Sequence, residues 1–258
     1  MSGIKDMSDI SKTIERMDGL RKKAPPKAYE CENCRDVGFI FTHRSGVDWA
    51  EECECTIKKN MLESLKTCGL SESKFKRQTF DLFVATNAFQ REMKQKAKAF
   101  CSQKDKKFFF AGGQVGSGKT HICTAICNHF FNKAYPFKYV TYPDMTRQLK
   151  SMANDDIDYN RHMGILQNVK VLYIDDLFKG KNTSVDSATE ADIKHAFTLI
   201  NNRYENEKIT IISSELNLSE LINVDEAISS RIKQMCGGYV VNIKKDKSRN
   251  YRYKEEIE

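Results

Sequence analysis

The sequence predicts an α/β fold, a parallel sheet of five strands with helices on both faces, preceded by a small cysteine-rich module. Three observations carry this. Short apolar runs alternate with segments of helical period; a glycine-rich loop stands between one such run and a helix; and four cysteines lie in two close pairs ahead of both.

In chain order, residues 1–30 form a polar helical segment, with Ile10, Ile14 and Met17 on one side, that ends at Ala24-Pro25-Pro26. Residues 31–55 hold the paired cysteines. Residues 56–78 read as a basic helical connector with a stop at Cys68-Gly69. Strands are predicted at 108–111, 137–141, 169–174, 209–212 and 239–243. A helix over 120–131 places Ile122, Ile126 and Phe130 together, and a second carries Ile193, Phe197, Ile200 and Tyr204 on one face. Strands separated by helices give parallel crossovers. The expected domains are residues 1–57, a basic linker over 58–78, and 79–258.

Composition narrows the setting. The chain has 258 residues, 40% hydrophobic and 30% charged, with 4 prolines, so a packed core is within reach and wholesale disorder is not expected. No apolar run is long enough to span a bilayer, and the N-terminus lacks an apolar stretch behind a basic start, so no membrane association is expected. Nine cysteines without an export signal suit thiols in a reducing, cytoplasmic compartment. The net charge is +7, and residues 58–107 alone carry thirteen basic against five acidic side chains, a net of +8. Two readings of that stretch stand side by side: contacts to a nucleic-acid backbone, or solvated helix faces.

Gly113-Gln114-Val115-Gly116-Ser117-Gly118-Lys119-Thr120 matches G-x-x-x-x-G-K-[ST] at every position, between a predicted strand and a predicted helix. Glycines let backbone N–H groups curl around phosphate oxygens, and the helix N-terminus adds partial positive charge. Lys119 would reach the β- and γ-phosphates of ATP, and the Thr120 hydroxyl would ligate Mg²⁺. The strand Val171-Leu172-Tyr173-Ile174 ends in Asp175-Asp176, acid at the carboxyl end of a parallel strand, where such sheets bind ligands. Asp175 is assigned to Mg²⁺, and Asp176 to orienting and deprotonating the attacking water.

Cys31-x-x-Cys34 and Cys53-x-Cys55 supply four thiolates able to enclose Zn²⁺ as a closed, structural site. Phe39, Phe41 and Trp49 are expected to cover a small hairpin between the pairs. Because the second pair is the tighter C-x-C, His43 is an alternative to one of its cysteines.

With these motifs in hand, the chain resembles the AAA+ ATPases, and among them the bacterial and phage replicative helicase loaders of the DnaC and DnaI type. The resemblance covers roughly residues 70–258. It rests on Phe80-Asp81-Leu82-Phe83, the phosphate loop, Asp175-Asp176, Asn201-Asn202-Arg203-Tyr204, Ile212-Ser213-Ser214-Glu215 and Glu226-Ala227-Ile228-Ser229-Ser230-Arg231. It implies a five-stranded parallel core with ATP held between identical subunits, and a first sensor at Ser214 or Glu215. Arg231 would be the finger that reaches a neighbour's γ-phosphate. With so little chain after Arg231, no helical lid is implied, and Arg249 is the candidate second sensor. Asp176 replaces the commoner Glu, which implies slow turnover. The implied partners are a hexameric replicative DNA helicase, gripped by an N-terminal zinc module, and single-stranded DNA. A transposition helper ATPase of the IstB type, and a nucleotide-gated adaptor with little turnover, are the alternatives.

Overall fold

Ser45-Gly46, set between two runs of strand-forming residues, asks for a two-residue turn with left-handed backbone at both positions. A computed structural model of the chain, which describes residues 28–67, 70–179 and 188–253, has that turn, with φ of 53° at Ser45 and 80° at Gly46. It joins β1 (Phe39–Arg44) to β2 (Val47–Glu52) in an antiparallel hairpin, Arg44 opposite Val47. Residues 1–27, most of the predicted first helix, and the stop at Cys68-Gly69 lie outside the described residues. The chain divides into two units, Met1–Cys55 and Thr56–Glu258.

The hairpin aromatics do not cover anything. Phe41 is 70% and Trp49 55% exposed, and Phe39 is exposed too; within this unit the buried described side chains are those of Cys34 and Cys53. Among the described residues no second layer buries a face of these two strands, so the expectation that the aromatics roof the module is corrected.

In the larger unit α1 (Glu54–Thr67, from Thr56 on), α2 (Glu72–Arg77) and α3 (Ala88–Ser102) precede β3 (Phe108–Gly113). Then follow α4 (Lys119–Asn132), β4 (Phe137–Thr141), α5 (Tyr142–Ser151), α6 (Asp156–Asn168), β5 (Val171–Asp175), α7 (Glu190–Glu205), β6 (Ile209–Ser214), α8 (Leu218–Leu221), α9 (Glu226–Cys236) and β7 (Val240–Ile243). The five strands are parallel, in the order β4-β5-β6-β3-β7. β3 and β5 are apolar almost throughout because helices cover both faces. Alternate side chains serve alternate layers: Phe109, Tyr173 and Ile211 pack with Met93, Phe100, Ile122 and Ile126, whereas Phe108, Leu172, Ile174 and Ile212 pack with Leu149, Leu166, Leu199 and Ile232. After β7 the described residues hold only two short 3₁₀ turns, Lys247–Arg249 and Tyr251–Tyr253, so no helical lid follows the sheet among them.

Residues 58–78, expected as a basic linker, are built into this unit. Met61 and Leu65, four apart on α1, are buried with Leu70 and Phe75 in the core, and the Asn128 amide donates to the carbonyls of Phe75 (2.8 Å) and Gln78 (2.9 Å). Helices α5 and α6 were not foreseen, although their caps are in the sequence. Thr141 Oγ1 accepts from Asp144 N ahead of α5, and Asp155 Oδ1 from Ile157 N and Asp158 N ahead of α6. Arg203, part of the family-like Asn-Asn-Arg-Tyr run, is fully buried. Its guanidinium donates to the carbonyls of Leu166 (2.7 Å), Val169 (3.0 Å) and Ile209 (2.6 Å) and to Thr210 Oγ1 (2.9 Å). It closes the C-terminal end of α6, where carbonyls otherwise lack partners.

Candidate nucleotide site and metal centre

The phosphate loop leaves β3 at Gly113 (φ 107°) and turns through Gly116 (φ 72°) and Gly118 (φ 97°), which opens α4. At Gly116 the backbone angle disfavours a side chain, and a Cβ would also displace the Asn250 side chain. Ser117 Oγ donates to Gln114 O (2.7 Å), closing the loop on itself. Lys119 is buried, its Nζ donating to the carbonyls of Gly113 and Gln114, each at 2.7 Å. Burial pulls its pKa down to about 8, against the upward pull of the Asp176, Glu215 and Asp175 carboxylates.

Lys119 faces a cleft of about 460 Å³ that is also lined by Val115, Gly116, Gly118, Thr120, Asp175, Asp176 and Glu215. The loop, Thr120 and the acidic strand end are therefore in one place. Asp175 is buried and held by hydroxyls. Oδ1 accepts from Tyr173 (2.7 Å), from Ser213 and, at 3.4 Å, from Thr120, while Oδ2 accepts from Tyr139 (3.0 Å). A fixed carboxylate beside a hydroxyl is an all-oxygen donor set that fits Mg²⁺. Asp176, in left-handed backbone (φ 58°), is paired with Lys179 Nζ at 2.8 Å, and the same ammonium reaches Glu215 at 3.0 Å. Burial opposes the charge on Lys179, but its bonds to Asp176 and Glu215 outweigh this and raise its pKa.

Two of the expected residues, Ser214 and Arg249, are not among those lining the cleft. Of the two sensor candidates, Glu215 lines the cleft and Ser214 does not: its Oγ donates to Leu177 O (2.7 Å). Alternation along β6 aims Ser213 at Asp175 and turns Ser214 to the opposite side. Arg249 lies over the Phe89 ring (5.1 Å), and Arg252 instead lines the cleft. The tail that carries it is fastened to the loop by Tyr251 N donating to Gly116 O (3.0 Å) and Asp246 N to Gln114 Oε1 (2.8 Å). Arg231, on α9, is outside the cleft lining. Its Nε donates to Asn201 Oδ1 (2.7 Å), and its guanidinium lies over the rings of Phe197 (5.1 Å) and Tyr204 (5.6 Å).

No site role was assigned to Ser213, Tyr139 or Tyr173 from the sequence. Two-residue alternation from Asp175 back to Tyr173 was a usable signal; the pairing of Tyr139 opposite Tyr173 needed the sheet register. The basic stretch over 58–107 is spread over three helices and a loop. Several of its charges are engaged locally: Lys76 with Glu72, Lys96 with Glu92, and Lys94 on Phe83 O.

In the smaller unit, the sulfurs of Cys31, Cys34, Cys53 and Cys55 lie within 4.8 Å of one another, with Cys31–Cys53 at 3.7 Å and Cys34–Cys55 at 3.4 Å. Four thiolates at about 2.3 Å from a zinc ion stand roughly 3.8 Å apart, so the residues fit a tetrahedral ion. Asp36, also left-handed (φ 65°), accepts from Cys31 N (2.9 Å) and shapes the first knuckle. His43 is not in the cluster; its Nδ1 pairs with Asp48 (2.7 Å) near the hairpin tip. Cys101, Cys123, Cys127 and Cys236 are buried, and burial pushes their thiols up.

Residues 49–256 match the family model of the IstB-like ATP binding protein. The chain belongs to this family of AAA+ ATP-binding domains. The Phage-like element PBSX protein XkdC of Bacillus subtilis (strain 168) is 30% identical over 255 residues, covering 90% of this chain and 94% of that protein. The uncharacterized protein YqaM of the same organism is 32% identical over 226 residues, covering 82% and 70%. The crystal structure of the DnaC helicase loader superposes with a TM-score of 0.56 at 20% identity, over 67% of this chain and 99% of that one. This likeness shows the fold alone. Structures of the initiator DnaA also match, and the chain spans about half their length. Membership of this family supports ATP binding. No helix among the described residues is long and apolar enough to cross a membrane.

Proposed function

We propose that this protein is an ATP-dependent loader that holds a replicative DNA helicase and helps place it on single-stranded DNA. One observation carries the reading: a complete phosphate-loop cleft on a fold that spans a DnaC helicase loader domain, joined to a four-thiolate module. In this reading the loop amides and Lys119 hold the β- and γ-phosphates, and Thr120 and Asp175 hold Mg²⁺, which would offset phosphate charge. Asp176 takes a proton from water as the water oxygen attacks the γ-phosphorus and the bond to the bridging oxygen breaks. Arg231, steadied on α9 by Asn201, reaches the phosphate of an adjoining subunit. Zinc on Cys31, Cys34, Cys53 and Cys55 shapes the module that meets the helicase.

The test is reconstitution. The full chain, the replicative helicase of the same cell and closed circular single-stranded DNA are mixed with ATP or ADP, and helicase retained on DNA is counted. ATP-dependent retention, lost in Asp176→Asn and Arg231→Ala, is the expected result; no complex with the helicase in any nucleotide state would sink the loader reading. The family match favours a second reading, a helper ATPase for DNA transposition. That reading requires ATP-dependent assembly on double-stranded DNA and capture of a transposase. Hydrolysis too slow to detect, with or without single-stranded DNA, would leave a nucleotide-gated adaptor.

A further inference from the structure

The turn after β5 is built more tightly than a connection requires. Asp176 (φ 58°) and Phe178 (φ 59°) both hold left-handed backbone, a costly state for residues with side chains. Strand β6 fixes the turn at three points: Leu177 N donates to Ser213 O (2.8 Å), Asp176 N to Ser213 Oγ (3.0 Å), and Ser214 Oγ to Leu177 O (2.7 Å). The result brings Lys179 back over Asp176, with its N–H on Asp176 O at 3.0 Å. Its ammonium bridges Asp176 and Glu215, and all three side chains line the cleft that Lys119 faces.

A triphosphate differs from a diphosphate by one terminal phosphoryl group, whose oxygens accept strong charge-assisted hydrogen bonds from an ammonium. Lys119 sits at the floor of the loop, on the carbonyls of Gly113 and Gln114, and would be shared with the β-phosphate. Lys179 lies on the acidic side of the cleft, on a flexible four-carbon stem that is 44% exposed. We propose that Lys179 distinguishes a nucleoside triphosphate from a diphosphate here: the γ-phosphate draws its ammonium off Asp176 and so frees that carboxylate for the attacking water. A diphosphate leaves Lys179 on the two carboxylates and Asp176 neutralised. The inference rests on the cleft being a triphosphate site. It assigns the ATP-sensing role to a lysine behind the acidic strand rather than to Ser214 or Glu215.

The test is calorimetric titration of the full chain with Mg²⁺ and either the non-hydrolysable triphosphate AMPPCP or ADP. Lys179→Met should weaken AMPPCP about tenfold or more and ADP by less than about twofold. Lys179→Arg should keep most of the preference. Glu215→Gln removes a competitor for the ammonium and should tighten AMPPCP relative to ADP. Equal losses for both nucleotides in Lys179→Met, or an unchanged ratio, overturn the proposal. Should Lys179→Met fail to fold, as judged by its thermal transition, Glu215→Gln decides, and an unchanged ratio there overturns it as well. Wild-type protein that binds neither nucleotide would instead overturn the reading of the cleft beneath it.

Discussion

Of the twelve strand residues in the hairpin of the smaller unit, Thr42 alone is not exposed, whereas every residue of β3 and β5 in the larger unit is buried. The hairpin has phenylalanines, a tryptophan and valine, yet those side chains add little where no second layer among the described residues receives them. What can hold this unit is four sulfurs within 4.8 Å and a turn whose backbone angles suit Ser45-Gly46. The sheet has two layers of helix and holds itself by apolar burial. Similar residue types thus do different work according to what the topology places opposite them.

The sharpest way to break this contrast is to remove metal. Chelation, or Cys53→Ser, is expected to abolish the hairpin's order, a loss of about 10 kcal/mol or more of metal-linked folding energy, while the thermal transition of the sheet unit stays in place. Residue-resolved hydrogen exchange with metal analysis checks this; a hairpin equally protected with and without metal would refute it. Next in size is the core. Phe109→Ala should cost about 3–5 kcal/mol by urea unfolding.

The two units should also answer pH in opposite senses. Thiolates must be deprotonated to hold a metal, so acidification releases it. Lys119 has a pKa lowered to about 8 by burial, and the protonated form is the one that binds phosphate. Its charge is largely present at pH 7 and is lost as pH rises through 8. AMPPCP affinity should accordingly fall toward about tenfold per pH unit above 8. A flat calorimetric profile from pH 7 to 9 would show that the empty site keeps Lys119 charged. A smaller effect is expected from Ser213→Ala, which takes one hydroxyl from Asp175 and should cost about 1 kcal/mol in unfolding experiments. Smallest of all, Phe41→Ala on the exposed hairpin should change stability by less than about 0.5 kcal/mol, the counterpart of Phe109→Ala.

Much of the site was legible because its chemistry is local. A glycine that must hold positive φ, a lysine and threonine at fixed offsets from it, and cysteines two or three residues apart depend on neighbours along the chain. The places of Ser214 and Arg249 were not legible, for the opposite reason. Which of Ser213 and Ser214 faces Asp175 depends on the phase of β6 against β5, and which tail arginine reaches the cleft depends on where the 3₁₀ turns seat against Gly116. The connector over 58–78 was judged by its charge, while its function in the fold lies with Met61, Leu65 and Phe75.

By itself, the sequence determined that a phosphate-binding loop joins a buried strand to a helix, that acid ends another strand, and that four thiols can meet around an ion. These follow from backbone sterics and short-range periodicity. The tertiary structure alone decided which hydroxyls hold Asp175, that Arg203 is a buried clamp, and that Lys179 folds back onto Asp176 and Glu215. Apart from the short-range Tyr173–Asp175 and Lys179–Asp176 pairs, these contacts join separate segments of the chain, and such meetings are fixed by strand register and packing.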